Sequence, residues 1–334
     1  MLVVGDERCS AHLEGIAHPE SPARLLTLLR HLERTGLASD RREARDATRE
    51  ELMLVHPGSY VDLVHDEIER LGPSVPAAYL STGDTIVDRS SWDVAVRAAG
   101  ATLTALDAAV NENRAAFAVV RPPGHHAEPR RGMGFCLFNN AGIAARAYVA
   151  RNGGRALVVD FDYHHGNGTE ALVGGGVSYV STHASPAYPG TGSGRENRVD
   201  EGGTLIDFPL GLSYRTEGFA ALWQQTLRRL CARIKPDMLV VSAGYDFAAG
   251  DPVGDLGVDV GVSSVLGACF REIADEYCDG RAVFVLEGGY DLGLLCEGVE
   301  QTIRGYDAGA SNLGQTSEDA IPAQQRDTLA RVLA

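Results

Sequence analysis

The sequence predicts an α/β protein built on a single parallel β-sheet flanked by helices on both faces. Two observations predict it. Short apolar runs of strand type alternate along the chain with longer segments of helical pattern, the signature of βαβ units around a parallel sheet. Four of the apolar runs also break directly into glycine and polar residues, and ligands of open α/β sheets bind just outside the carboxyl ends of the strands.

Taken in order, the first helical segment is Pro22–Arg34 and the second Ser91–Asn113. The strand-like run Ala115–Val120 follows and leads into Arg121-Pro122-Pro123-Gly124-His125-His126. Helix Asn140–Arg151 precedes Ala156-Leu157-Val158-Val159, which leads into Asp160-Phe161-Asp162-Tyr163-His164-His165-Gly166-Asn167. Helix Glu217–Ile234 precedes Met238–Val241, which leads into Ser242-Ala243-Gly244-Tyr245-Asp246. Helix Val262–Cys278 precedes Ala282–Leu286, which leads into Glu287-Gly288-Gly289-Tyr290, and helix Leu292–Gly305 closes the pattern. No Pro/Ser-rich linker or fixed-period repeat interrupts it, so one domain over residues 1–310 is expected. Residues 311–334 are expected to form a polar tail or a peripheral helix at Ala323–Leu333.

Composition narrows the function classes. A net charge of −15 disfavours nucleic acid as a direct partner and weakly favours a cationic substrate. The six cysteines are scattered without C-x-x-C spacing, which predicts a reducing, cytoplasmic setting. No run approaches 18 apolar residues and the N-terminus turns polar by Asp6, so neither a membrane span nor a signal peptide is expected. A homo-oligomer is compatible with all of this.

The Asp160–Asn167 block carries the chemistry. In an extended segment, side chains at i and i+2 point to one side, so Asp162 and His164 can converge on one ion while Asp160 supports them. Oxygen and nitrogen donors together suit zinc or a similar divalent metal. An acidic cluster after a strand is often a solvated turn, but here three other strand ends bring histidines, an aspartate and a tyrosine to the same edge.

These motifs, with His18-Pro19-Glu20-x-Pro22-x-Arg24, Gly134-Phe135-Cys136-x-x-Asn139-Asn140, Tyr188-Pro189-Gly190-Thr191-Gly192 and Gly250-Asp251-Pro252, resemble the histone deacetylase and acetylpolyamine amidohydrolase superfamily from about Pro19 to Gly305. Asn167 and the form Glu287-Gly288-Gly289-Tyr290 resemble its class II and bacterial-type branch. The resemblance implies an arginase/deacetylase-like fold and zinc-dependent hydrolysis of acyl amides. It implies Asp162, His164 and Asp246 as ligands of one catalytic Zn2+. It pairs His125 with Asp160 and His126 with Asn167. A carboxylate partner favours imidazolium and an amide does not, so His126 is assigned as general base. Tyr290 is the expected oxyanion donor. Gly134, Phe135, Tyr188 and Val253 are expected to line a narrow acyl-lysine channel, with Asp84 as an acid at its rim. Asp160, Ser181, Thr182 and backbone carbonyls near Asp162 and His164 resemble a K+ site. His165 is expected to be structural and to point away from His164.

The expected activity is removal of a short acyl group, acetyl first, from the side-chain amine of lysine in a peptide or protein. An acetylated polyamine is the alternative substrate, and an inactive acyl-lysine binding module the alternative without catalysis. A binuclear manganese ureohydrolase would need further bridging aspartates, and Asp246 and Asp251 are not a D-x-D pair.

Overall fold

The computed structural model describes residues 1–200, 202–312 and 316–333. Its strands are β1 (Leu2–Gly5), β2 (Arg41–Arg42), β3 (Ala78–Tyr79), β4 (Ile86–Val87), β5 (Ala115–Val119), β6 (Ala156–Asp160), β7 (Val177–Ala184), β8 (Leu205–Leu210), β9 (Met238–Ala243) and β10 (Ala282–Leu286). Eight of them form one parallel sheet in the order β2-β1-β5-β10-β9-β6-β7-β8, and β3 and β4 form a separate antiparallel pair. The helices are α1 (Pro22–Arg34), α2 (Arg49–Leu52), α3 (Gly58–Glu69), α4 (Ser91–Glu112), α5 (Asn140–Asn152), α6 (Asn167–Glu170), α7 (Thr216–Ile234), α8 (Val262–Tyr277), α9 (Leu292–Ala308) and α10 (Ala323–Leu333).

The four strands whose ends carry the polar motifs, β5, β10, β9 and β6, are consecutive neighbours at the centre of the sheet. Every residue of these four strands is buried. Covered on both faces by helices, they are apolar except for Asp160 and Ser242 near their carboxyl ends, and the other polar groups lie in the loops beyond. In-register pairing such as Asp160↔Ser242 brings those ends level, so the four loops share one edge.

Local chemistry fixes where helices start. Pro22 stands in the first turn of α1, where its missing N–H costs nothing. Asn139 caps α5 by accepting from Gly142 N, and Asp291 caps α9 by accepting from Gly293 N and Leu294 N. Helix α9 therefore begins immediately after Tyr290, which limits the freedom of the loop bearing that side chain.

Strands β1, β7 and β8 and helix α3 were not among the elements expected. Leu2–Gly5 is too short to read from pattern, yet it is buried between β2 and β5. Strand β7 (VSYVSTHA) mixes polar and apolar residues but is buried throughout, and most of its polar side chains find partners inside the protein, such as Ser181 with His183 and Tyr179 with Asp160. At the C-terminus, α10 packs against α7 and β8 with Leu329 and Leu333 buried. Of the tail expected from 311, residues 313–315 and 334 lie outside the described residues.

Candidate metal centre and active site

Strand β6 ends at Asp160, and Phe161–His164 is a bend rather than an extended continuation. Asp162 and His164 still converge, but for a reason other than strand alternation. Asp162 N donates to Asp160 Oδ1 (3.2 Å) and His164 N donates to Asp162 Oδ1 (2.8 Å), and these two local bonds fold the bend onto itself. Asp246, at the end of β9, closes the group: its Oδ1 accepts from Tyr163 N (3.0 Å) and its Oδ2 lies 3.0 Å from His164 Nδ1. His164 Nδ1 is also 3.2 Å from Asp162 Oδ1.

The donor set fits a divalent ion. Ligands about 2.0–2.1 Å from a tetrahedral ion stand about 3.3 Å apart, close to the 3.0 and 3.2 Å observed. A side chain at 288 would fill the space, because a Cβ there would overlap Asp246 Oδ2 and crowd Asp162 Oδ2; the Gly288 backbone N–H instead donates to Asp162 Oδ2 at 2.8 Å. Burial opposes charge on His164, yet Asp162 and Asp246 lift it to about 10. Burial and the nearby Asp162 push Asp246 up to about 6. A cluster that raises both is one that attracts a positive centre.

The two tandem imidazoles face this group from the end of β5, their ring centres 4.0 Å apart. His125 Nδ1 is 3.1 Å from Asp160 Oδ2. Burial works against its charge, but Asp162 and Asp160 prevail and hold it well above the usual histidine value. His126 Nδ1 is 2.9 Å from Asn167 Oδ1. Asn167 Nδ2 donates to Glu128 Oε1 (2.8 Å), so its carbonyl oxygen must face the ring. His126 therefore carries its proton on Nδ1 and leaves Nε2 as an acceptor. Burial, with His125 and His164 nearby, pushes His126 well below the usual value.

Tyr290 is held from both sides of its peptide. Arg24 donates through Nε to Gly289 O (2.6 Å) and through a terminal nitrogen to Glu287 O (2.6 Å), with its guanidinium 4.9 Å from the Tyr290 ring centre. On the other side, Asp251 Oδ2 accepts from Tyr290 N (2.6 Å) and Asp291 N (3.0 Å), while Oδ1 accepts from Val253 N (2.9 Å) and Gly254 N (3.1 Å). Arg24 is itself bonded to the buried Glu20, which also binds Arg121 through two bonds. Burial would raise Glu20, but the two arginines hold it at about 2. Burial keeps the Tyr290 hydroxyl well above its usual value, so it remains a donor.

The expected channel residues gather above these groups. The rings of Phe135 and Tyr290 are 5.9 Å apart, and Tyr188 stands edge-on to His126 at 5.1 Å. Gly134 lies directly on the His126 ring with φ +55°, and a Cβ there would overlap ring carbons. Asp84, on the loop joining β3 and β4, accepts from Gly134 N (2.8 Å) and from the Tyr188 hydroxyl (3.0 Å). Both its oxygens brace the rim rather than standing free. Val253 is half-buried beside the Asp251 loop. Ser181 pairs in register with Asp160, and Thr182 Oγ1 is buried without a hydrogen-bond partner.

Sequence reasoning assigned no role to Glu128, Arg24, Glu20, Asp251 or Glu287. Glu287 Oε2 accepts from Gly124 N (2.7 Å) and His125 N (3.1 Å), fastening the histidine loop to the tyrosine loop. Four of the five lie inside the family-type motifs, which was the available signal. Their partners are far away in sequence, so no spacing shows what they do.

A buried His/Asp/Asp centre, two polarised imidazoles and a tyrosine hydroxyl at the carboxyl edge of a parallel sheet define a hydrolase of the arginase/deacetylase fold. The Histone deacetylase domain model matches residues 18–306, and the chain belongs to the histone deacetylase family. It is 36% identical over 310 residues to Histone deacetylase 10, chloroplastic, of Oryza sativa subsp. japonica, covering 87% of this chain and 70% of that protein. It is 32% identical to a probable deacetylase of Archaeoglobus fulgidus, covering 87% and 81%. The crystal structure of the HDA15 HD domain superposes with a TM-score of 0.85 at 30% identity, over 99% of this chain and 93% of that one. Among the described residues, no helix is long and apolar enough to cross a membrane.

Proposed function

We propose that this deacetylase is zinc-dependent and removes acetyl or another short acyl group from the lysine side-chain amine of peptides or proteins in the cytoplasm. The observation that carries the reading is His126 Nε2, left as a free acceptor by the Glu128–Asn167–His126 chain beside the Asp162/His164/Asp246 group.

Asp162, His164 and Asp246 would hold the ion, which when bound supplies Lewis acidity toward the acyl carbonyl and acidifies water. His126 accepts the proton of the attacking water at Nε2. His125, charged between Asp160 and Asp162, stabilises negative charge as it develops and hydrogen-bonds without giving up its own orientation. The Tyr290 hydroxyl donates to the oxyanion. The proton taken by His126 leaves with the lysine amine. Phe135 and Tyr188 shape a slot that an unbranched acyl-lysine stem can fill and that water enters poorly. The neighbourhood of Asp160, Ser181 and the backbone of Thr182 is the proposed K+ position, supported by the register that sets Ser181 beside Asp160. Six buried, unpaired cysteines support a reducing compartment.

Val253 favours lysine over polyamines: an apolar side chain near the mouth offers nothing to a second ammonium. Turnover of zinc-loaded protein on acyl-lysine peptides and on N-acetylputrescine and N-acetylspermidine is the test. Higher kcat/KM on the peptides supports the reading; a clear preference for the polyamines reverses the substrate assignment, and no turnover on either removes the catalytic one.

A further inference from the structure

A second set of metal-type donors lies one residue beyond the first. The ring of His165 turns away from Asp162 and Asp246 and meets groups from α6 and β8 instead. His165 Nε2 stands 3.3 Å from Asp207 Oδ1 and 3.3 Å from Glu170 Oε2. His165 and Asp207 are 1% and 2% exposed, so bulk solvent does not reach these atoms. Yet His165 Nε2 and Asp207 Oδ1 have no hydrogen-bond partner: neither carboxylate lies where an N–H on Nε2 would reach it. A nitrogen and an oxygen of opposite character, both buried, adjacent and unsatisfied, call for something between them.

The spacing says what. A charge-assisted N–H···O bond is about 2.7–2.9 Å, whereas two ligands of one tetrahedral ion stand about 3.3 Å apart. The first donor set shows a similar signature at 3.0 and 3.2 Å. Among the described residues, such donors gather in threes at two places, Asp162/His164/Asp246 and His165/His183/Asp207. His183 belongs to the second, but its Nε2 is bonded to Gly192 O (2.8 Å) and its Nδ1 to Ser181 Oγ (2.9 Å), so the third donor is assigned to Glu170, whose Oε2 is 3.3 Å from His165 Nε2. Thr191 Oγ1, 2.7 Å from His165 Nδ1, fixes the ring with Nε2 directed inward, as outer partners of metal-bound histidines do.

We propose that His165, Asp207 and Glu170 bind a second, non-catalytic divalent ion, zinc by the chemistry of one imidazole and two carboxylates. Its two positive charges offset the two acids. The ion ties three pieces together: the bend carrying His164, the short helix α6 that starts at Asn167, and β8 at the sheet edge. With His165 and Asp207 buried it offers no opening for substrate, so its role is to hold the catalytic bend. The Glu170 side chain, 20% exposed, is the route of entry from solvent.

The experiment is metal counting on the intact chain: chelator treatment, reloading with Zn2+, exhaustive dialysis and elemental analysis per protein. Wild type should retain about two equivalents, Asp162→Asn about one, and Asp207→Asn about one. Thermal midpoints of stripped and reloaded Asp162→Asn should differ, because the second ion remains to stabilise it. If Asp207→Asn does not fold, Glu170→Gln is read instead and should also retain about one. One equivalent in wild type, with His165 simply protonated between the acids, overturns the proposal; so do two equivalents in Asp207→Asn or Glu170→Gln. The count is independent of turnover, so a failed deacetylase reading leaves it standing.

Discussion

Asp251→Asn tests whether Tyr290, the proposed oxyanion donor, is held in place by a buried carboxylate whose oxygens are taken up by backbone N–H groups. Each oxygen of Asp251 accepts two backbone N–H groups, Val253 and Gly254 on one side and Tyr290 and Asp291 on the other. The side chain is 5% exposed, so water cannot replace it. An asparagine of the same shape can serve one pair with its carbonyl oxygen but turns an NH2 toward the other. Two charge-assisted bonds are lost, at about 1.5–3 kcal/mol each, so the variant should be destabilised by roughly 3–6 kcal/mol in urea unfolding. Tyr290 keeps the Arg24 anchor on the preceding carbonyl, so its misplacement is partial. The expected kcat loss for Asp251→Asn is therefore smaller than the ~10²–10³-fold of Tyr290→Phe, which deletes the proposed oxyanion donor. If Asp251 acts through Tyr290, the double variant should match Tyr290→Phe alone in kcat at equal metal loading. Losses that multiply in the double variant, or an Asp251→Asn protein as stable and active as wild type, would refute the reasoning.

His126→Ala should lose about 10²–10⁴-fold in kcat with metal content unchanged, and steady-state rates beside metal analysis check it; greater damage from His125→Ala would exchange the two roles. His56 should make stability depend on acid. Its Nε2 accepts from Asn139 N at 2.9 Å and burial holds it at about 4, below the ordinary 6.5, so its share of stability is complete above pH 6.5 and fades as pH falls toward 4. That share is at most about 3 kcal/mol, and His56→Gln, which does not titrate, should flatten the urea midpoint between pH 6.5 and 4; an unaltered slope would exclude it. Val253→Glu should raise kcat/KM for N-acetylspermidine relative to acetyl-lysine peptide by roughly 5-fold, the scale of one partly exposed ion pair, measured by competition, and no change would mean that residue 253 does not face the distal amine.

What could be read from the sequence and what could not divide along a physical line. The central strands were legible because a strand buried on both faces reads as an apolar run where it has no polar partners, and short runs such as Ala156–Val159 and Met238–Val241, bounded by turn residues, show this within a single window. Helices such as α9 were legible because their apolar stripe and their caps are local. Strand β7 was not, since the polar residues of VSYVSTHA are matched by partners such as Asp160 and Gly192 that no local window contains. The same division runs through the site. That Asp162, His164 and Asp246 share one edge was readable from strand ends and their grouping followed from the family resemblance, but Asp162 and His164 converge through a hydrogen-bonded bend and not the expected alternation along an extended segment. Glu20, Arg24, Glu128, Asp251 and Glu287 act only through contacts between loops, spanning 265 positions for Arg24 to Gly289. A motif marks such a residue without saying what it does. His126 shows the consequence: its neighbour Asn167 suggests a neutral ring, but only Glu128, by fixing which way the amide points, decides that Nε2 is the atom left to take a proton.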